Sequence, residues 1–315
     1  MEKVVCDICE QDHAQLVYRV KDTNYGSPGA FSLVQCSGCN LVYQNPRPSQ
    51  SEIGSYYPVE TYHPFRALHQ GGEVLVAPLV QKRVHFLSSK IKPGKVLDVG
   101  CGSGHFLLAM QQKGWHSLGV EPNEAAARLA REKSSLNIVT GDIFSLHSFN
   151  TFDLITFWDV LEHTHSPKAV LQHAHQLLRP NGYLALNVPN WGSLERRLFQ
   201  ERWIALDAPR HLYHFTPETL KRLLVTCNFS PEFVRASGAT LSLSSNVLRW
   251  MGDTFLRKGQ AKALTPTART STNVSGVSPR QILITLVHHS MKLPNLIING
   301  IHQGSGIMAL AQKKG

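Results

Sequence analysis

Apolar residues through the middle of the chain fall into short runs separated by stretches of helical spacing. Lys95–Val99, Ser117–Val120, Asn137–Thr140, Phe152–Phe157 and Tyr183–Val188 are runs of strand length rich in branched residues. Between them, around 104–113, 123–134 and 166–179, the spacing predicts helices. Such alternation implies a parallel sheet covered on both faces, with ligands at the carboxyl ends of its strands. A further helix over 73–91 is stopped by Pro93-Gly94. After the fifth strand come a helical stretch at 191–202 and a helix with Thr216 as N-cap, Pro217 at its first position and Glu218 in its first turn. Phe233–Ala236 and Ile307–Ala311 read as the sixth and seventh strands of an α/β fold.

The last two strands are separated by about 65 residues, where a hairpin would suffice. This insert holds apolar helical stretches at 241–256 and 281–298, joined by a Ser/Thr/Pro-rich segment at 264–280 that is expected to be flexible. The expected organisation is therefore a module at 1–45, a connector and helix at 46–92, a core at 93–238, a helical basic and apolar insert at 239–303, and a final core strand at 304–315.

Four of the six cysteines form two pairs, Cys6-Asp7-Ile8-Cys9 and Cys36-Ser37-Gly38-Cys39. A two-residue spacer lets both thiolates of a pair reach one ion, and two such knuckles complete a tetrahedral shell. The first 40 residues show no secretion signal, so the pairs read as ligands of a structural Zn2+ in a ribbon, with short strands at 16–20 and 31–34. A ribbon this small has little core, and its metal would supply folding energy.

The first core strand ends in Asp98-Val99-Gly100-Cys101-Gly102-Ser103-Gly104, a G-x-G-x-G loop that lets backbone approach a ligand. Strand two ends at Glu121, an acid placed to accept ribose hydroxyls. Strand three leads into Gly141-Asp142-Ile143, where a carboxylate can accept from an adenine amino group. Strand four runs into Trp158-Asp159-Val160-Leu161-Glu162-His163. Over about residues 95 to 235 these motifs resemble class I S-adenosylmethionine (SAM)-dependent methyltransferases, specifically the bacterial group similar to ubiquinone-type O-methyltransferases. The resemblance implies a Rossmann-like seven-stranded methyltransferase sheet with SAM across its carboxyl edge. Asp98, Gly100, Gly102 and Gly104 would border its methionine and ribose. Glu121 would hold the ribose, Asp142 and Ile143 the adenine end, and Trp158 would stand near the sulfonium.

Two histidine-bearing segments are candidates for the reaction. The first is Asp159-x-x-Glu162-His163; in ubiquinone-type enzymes a similar E-x-x-E-H cluster binds a divalent cation, which implies a cation at Asp159, Glu162 and His163 here. The second is Asp207-Ala208-Pro209-Arg210-His211-Leu212-Tyr213-His214, a dense polar set for a loop. His163, His211 and His214 are the candidate catalytic groups, able to take a proton from an acceptor hydroxyl. Arg210 and Tyr213 are expected to bind the acceptor, Arg210 through a carboxylate or phosphate; its competing role is an ion pair with Asp207.

Charge bears on the acceptor. The chain carries +10, and residues 241–315 contribute nine Lys/Arg against one Asp, or +8. A basic, amphipathic, Trp-bearing stretch lies in a membrane interface plane, so the first reading is a small-molecule or lipid-linked acceptor, with 241–298 making a peripheral contact at the inner membrane face of a cytoplasmic protein. The same helices equally suit a dimer contact. A zinc module before this fold also occurs in nucleotide-sugar C-methyltransferases, the second reading. An rRNA or tRNA methyltransferase ranks third, because the charge lies in the insert and not in the ribbon. A catalytically inactive, zinc-bearing interaction protein is the non-enzymatic reading.

Overall fold

The computed structural model describes residues 1–57, 73–134, 136–238, 246–248, 290, 294, 298 and 303–314. The expected insert helices and the connector at 58–70 therefore lie almost wholly outside the described residues.

Three antiparallel strands open the chain: β1 (Ala14–Val20), β2 (Phe31–Cys36) and β3 (Val42–Gln44). Helix α1 (Glu73–Lys90) follows, and then the alternating region: β4 (Lys95–Val99), α2 (His105–Gln111), β5 (His116–Glu121), α3 (Glu124–Ser134), β6 (Ile138–Thr140), β7 (Phe152–Trp158), α4 (Pro167–Leu177) and β8 (Leu178–Pro189). After a short helix α5 (Leu194–Phe199) come β9 (Tyr213–His214), α6 (Pro217–Thr226), β10 (Phe229–Ser237) and β11 (Gly306–Lys313).

Seven strands form one sheet in the order β10-β11-β8-β7-β4-β5-β6. Strands β4 to β8 pair in parallel, and β11 is antiparallel to both neighbours. The seven-stranded α/β expectation is met. Alternation along each strand divides the core in two. Val96, Leu154, Ala185 and Leu310 face α1 and α2, where Leu87, Phe106, Leu107 and Met110 are buried. Leu97, Ile155, Leu184 and Ala311 face the opposite way, onto Leu171 and Ala174 of α4 and Leu220 and Leu223 of α6. Side chains from successive residues point to opposite faces, so a strand covered on both sides must be apolar throughout. Helix starts follow the sequence: Ser166 and Thr216 accept from the backbone N–H groups of Ala169 and Thr219, each with proline at the next position.

The N-terminal strands end at Gln44, within the expected module of residues 1–45, but their sheet continues with a strand from the core. Strand β3 pairs antiparallel with β9, Val42 opposite His214 and Tyr43 opposite Tyr213, giving a second sheet in the order β1-β2-β3-β9. Both cysteine knuckles also touch the core. Between Cys6 and Cys9, the carboxylate of Asp7 accepts from Ser166 Oγ (2.8 Å) and from the Lys168 N–H at the start of α4 (2.7 Å). In the second knuckle, Gly38 O accepts from Arg222 of α6 at 3.5 Å.

A buried ion pair locks this second sheet in place. Arg210 is fully buried and spends all five of its donors inside the protein. Nη1 and Nη2 make a fork onto Asp22 at 3.0 and 2.8 Å. Nε and Nη2 reach Asp207 at 3.1 and 2.8 Å, and Nη1 also reaches Tyr56 O at 3.0 Å. The Tyr25 ring stacks on the guanidinium, with Cζ 4.4 Å from the ring centroid. Burial would lift the Asp22 carboxyl, but Arg210 and the N–H groups around it hold it down at about 2.

Arg210→Met would leave two buried carboxylates without their cation, a change that costs about 3–5 kcal/mol. Urea unfolding near pH 7 is expected to show that loss. Because the folded pKa of Asp22 is depressed, the pair's contribution is complete above the unfolded value of about 3.9 and falls away as the pH drops toward 2.

Candidate functional site

The sheet order puts β4 between β5 and β7, so the connections leaving β4 and β7 go to opposite sides of the sheet and open a crevice at their carboxyl ends. The glycine loop, Glu121, Asp142 and Trp158 lie along this edge, at the ends of the adjacent strands β4, β5, β6 and β7. The loop after β4 holds Gly100, Gly102 and Gly104 at φ of 68°, 52° and 75°, the left-handed region that glycine enters freely. A Cβ on Gly100 would stand 2.6 Å from Val160 Cγ2, whereas one on Gly102 would meet no protein atom within 4 Å. Gly102 therefore faces open space, as a loop that receives a ligand must.

Glu121, at the end of β5, is buried; its Oε2 accepts from the Gly102 N–H and its Oε1 from the Asn123 N–H, both at 2.9 Å. It braces the glycine loop against the start of α3 and keeps lone pairs for a further donor. Burial raises its pKa, and the two N–H donors offset that in part. Asp98 is also buried and accepts from Thr156 Oγ1 at 2.6 Å. Burial lifts it to about 7, against the pull of Thr156 and of the Arg83 charge. After β6, Asp142 accepts from the Phe144 N–H at 3.0 Å, with Ile143 buried beneath. At the end of β7, Trp158 meets the edge of Phe106 at 5.3 Å, and the Arg83 guanidinium lies 4.3 Å from its ring centroid. Arg83 comes from α1, and no motif in the sequence marked it.

Beyond Trp158 the chain turns into the second half of the site. Glu162 is 1% exposed, and neither carboxylate oxygen has a hydrogen-bond partner. Burial and the Asp159 charge push its pKa well up. The His163 and His211 rings meet edge to face at 4.5 Å, and His214 follows, its ring 6.4 Å from His211. His214 lies against Trp191, and neither of its ring nitrogens has a hydrogen-bond partner. Burial lowers the pKa of all three imidazoles, to about 3 for His163 and His214. The structure brings Glu162, His163 and His211 within 4.8 Å of one another by their ligating atoms.

Three expectations need correction. Arg210 is wholly spent on Asp22, Asp207 and Tyr56 O, so its guanidinium has no donor left for an acceptor. Tyr213 packs between Tyr43 and Phe215; its hydroxyl accepts from Arg47 and donates to His165 O, which places it inside the join between the two sheets. Asp159 is taken up by other partners: its carboxylate is held by Arg83 at 3.1 Å and by Asn187 at 2.6 Å. Its φ of 58° shows how sharply the chain turns there.

The four N-terminal cysteines converge. Cys6 and Cys39 sulfurs are 3.3 Å apart, those of Cys9 and Cys36 are 3.4 Å apart, and no disulfide joins them. All four sulfurs lie within 4.8 Å of one another.

These features are those of a nucleotide-binding α/β fold whose ligand edge adjoins a buried cluster of histidines. The chain belongs to the methyltransferase-domain family, whose sequence profile matches residues 75–232, half of its length. It is 33% identical over 103 residues to a ubiquinone biosynthesis O-methyltransferase of Pseudomonas aeruginosa (strain UCBPP-PA14), covering 30% of this chain and 44% of that protein. It is 28% identical over 134 residues to that of Leptothrix cholodnii (strain ATCC 51168 / LMG 8142 / SP-6), covering 40% and 55%. The chain thus spans about half the length of the curated relatives it matches. Among solved structures, its fold is similar to a chain from the complex between the Haloferax volcanii Trm112 methyltransferase activator and a methyltransferase. The TM-score is 0.51 at 12% identity, over 79% of this chain and 97% of that one.

Gly102→Ala is expected to lower stability only by the left-handed penalty, about 1–2 kcal/mol. Gly100→Ala is expected to cost more, because Val160 must also move. Thermal unfolding of the two variants side by side checks the difference.

Proposed function

We propose that this protein transfers a methyl group from SAM to a hydroxyl of a small-molecule acceptor. The observation that carries the reading is the continuity of two unlike half-sites across Trp158. On one side, an open glycine loop, Glu121 and Asp142 lie on adjacent strand ends. On the other, a buried carboxylate stands with three neutral imidazoles. The names of the relatives, O-methyltransferases of ubiquinone biosynthesis, agree with oxygen as the acceptor atom.

In this reading Gly100, Gly102 and Gly104 pass under the methionine and ribose. Glu121 accepts from the ribose hydroxyls, and Asp142 and Ile143 receive the adenine. Asp98 lies where the methionine ammonium is expected. Trp158 closes the sulfonium end and keeps water from it. Transfer is an in-line displacement. The acceptor oxygen forms the new bond to carbon, the sulfur–carbon bond breaks and its electron pair stays on sulfur, and the hydroxyl proton passes to an imidazole. Alignment of oxygen, carbon and sulfur is the main requirement, and proton removal the second. His163, His211 and His214 are the groups that would serve the second.

The four cysteines suit a structural Zn2+. Ligands about 2.3 Å from a tetrahedral ion stand about 3.8 Å apart, close to the sulfur separations here. Zinc, when bound, would neutralise the thiolates and fix the two knuckles. The protein's own part is mechanical: knuckles set β3, β3 sets β9, and β9 carries His214.

Calorimetric titration with SAM is expected to show micromolar binding that Glu121→Ala and Gly102→Ala abolish while the fold persists. Failure of the folded wild-type protein to bind SAM would end this reading. Since Asp98 sits at about 7 in the free protein, a bound ammonium would draw it into the charged form. Below about pH 7, binding should release a proton and strengthen as the pH rises, and then level off; titrations in buffers of different ionisation enthalpy measure that release. Removing zinc with a chelator is expected to stop methyl transfer and leave SAM binding in place, because the strands that hold SAM belong to the other sheet.

A further inference from the structure

We propose that Gln44, Trp203 and His214, on the buried face of the second sheet, form a subsite for an uncharged, hydroxyl-bearing ring. The proposal rests on the methyl-transfer reading and names the class of its acceptor. Fourteen buried side-chain atoms lack a hydrogen-bond partner among the described residues, and five of them belong to these three side chains. They are both amide atoms of Gln44, Nε1 of Trp203 and both ring nitrogens of His214. None of the three residues is more than 2% exposed. A buried polar group without a partner costs stability, and native cores keep few of them.

Register puts these groups together. Residues paired across antiparallel strands share a face. Gln44 is opposite Leu33 of β2, and Val42, two residues earlier on β3, is opposite His214. Gln44 and His214 are therefore diagonal neighbours on one face, roughly 7–8 Å apart at the backbone. The core on that face includes Leu33, Val42, Trp191, Trp203 and Leu206, and so offers the polar atoms nothing to bond. Tyr43 and Tyr213 stack on the opposite face, in the cluster that holds the cysteines. The backbone at Gln44 is clamped on both sides. Its N–H donates to Leu212 O at 2.9 Å, and the next residue, Asn45, exchanges hydrogen bonds of 3.1 and 3.0 Å with the backbone of Val4. The cysteine module thus delivers a side chain to the interior.

This face adjoins the reaction side of the candidate site. The His163 and His211 rings are 4.5 Å apart, and His214 stands 6.4 Å from His211. An acceptor with its reacting hydroxyl beside these imidazoles brings its other polar groups to Gln44.

The chemistry of the side chains selects the ligand. An amide, an imidazole and an indole N–H supply both donors and acceptors and no charge. Arg210 has spent its donors, and Arg196, 4.6 Å from the Trp191 ring centroid, donates to Trp191 O and the Tyr18 hydroxyl. A carboxylate or phosphate here would be buried without a counter-charge. Hydroxyls suit the polar atoms, and the indoles of Trp191 and Trp203 suit the flat face of a ring. An aromatic ring and a sugar share that chemistry.

The test uses the full zinc-loaded chain, with and without S-adenosylhomocysteine, titrated with millimolar phenol or methyl glucoside. Nitrogen–proton NMR follows the Trp203 indole signal, assigned with Trp203→Phe, and the Gln44 amide. One of the two probes is expected to shift both signals, phenol marking an aromatic ring and methyl glucoside a sugar. Benzoate and glucose 6-phosphate are expected to leave them in place. Gln44→Leu should weaken the probe at least tenfold and keep S-adenosylhomocysteine affinity. It should also raise the Tm of the free protein, since it removes a buried amide that lacks a partner. Shifts with neither probe, equal binding of the charged compounds, or probe affinity that survives Gln44→Leu overturns the proposal. So does a fall in Tm together with water cross-peaks at the Gln44 amide, which would assign the site to structural water. Should Gln44→Leu not fold, Trp203→Phe takes its place, with the Gln44 amide as reporter. Probe binding to a folded protein that does not bind SAM would keep the ring site and end the methyl-transfer reading, whereas SAM binding without a probe shift ends the ring site alone.

Discussion

One buried guanidinium ties the N-terminal strands of this protein to the loop that leads into β9. Arg210 belongs to the loop that feeds β9, and its charge is matched by Asp207 from the same loop and by Asp22 from the turn after β1. A cation with no water around it must be fully paired, so the positions of the loop and of the N-terminal strands determine each other. The carbonyl of the same residue lies against His163. The interaction that fixes the second sheet therefore also orients a side chain of the candidate site.

The two half-sites differ in electrostatic character for reasons that lie in the fold. Strand ends of a parallel sheet present backbone N–H groups and short loops, which suit a polar, extended ligand. There the acids have tasks already: Glu121 braces a glycine loop, and Asp98 is held by Thr156. Past Trp158 the walls come from side chains packed between the sheets. Burial there keeps three imidazoles uncharged and leaves a carboxylate without a partner.

The core was readable from sequence because its signals are local. Strand runs such as Phe152–Trp158, the Thr216-Pro217 helix start and the glycine loop are each set by residues a few positions apart. What sequence could not show depends on contacts across long separations. Strand β9 is two residues long, and its existence depends on β3. Arg210 looked like an anion receptor because nothing local reveals Asp22, 188 positions away. The order of Asp159, Glu162 and His163 resembled a cation-binding cluster, but the segment is a single 3-10 turn after a left-handed residue, and Asp159 is paired with Arg83. Arg83 itself carries no motif; only the packing of α1 against Trp158 brings it to the site.

The pairing of Val42 with His214 has a consequence for biosynthesis. Ribosomes deliver the knuckles first, and β3 then waits for a partner strand that emerges roughly 10–30 s later at ordinary elongation rates. During that interval the nascent chain displays a free strand edge, the feature that invites intermolecular pairing. Early metal capture by the cysteines would keep β2 and β3 short, twisted and tethered while the ribosome catches up. The time a cell allows for translating the stretch between them thus becomes part of how this protein avoids aggregation.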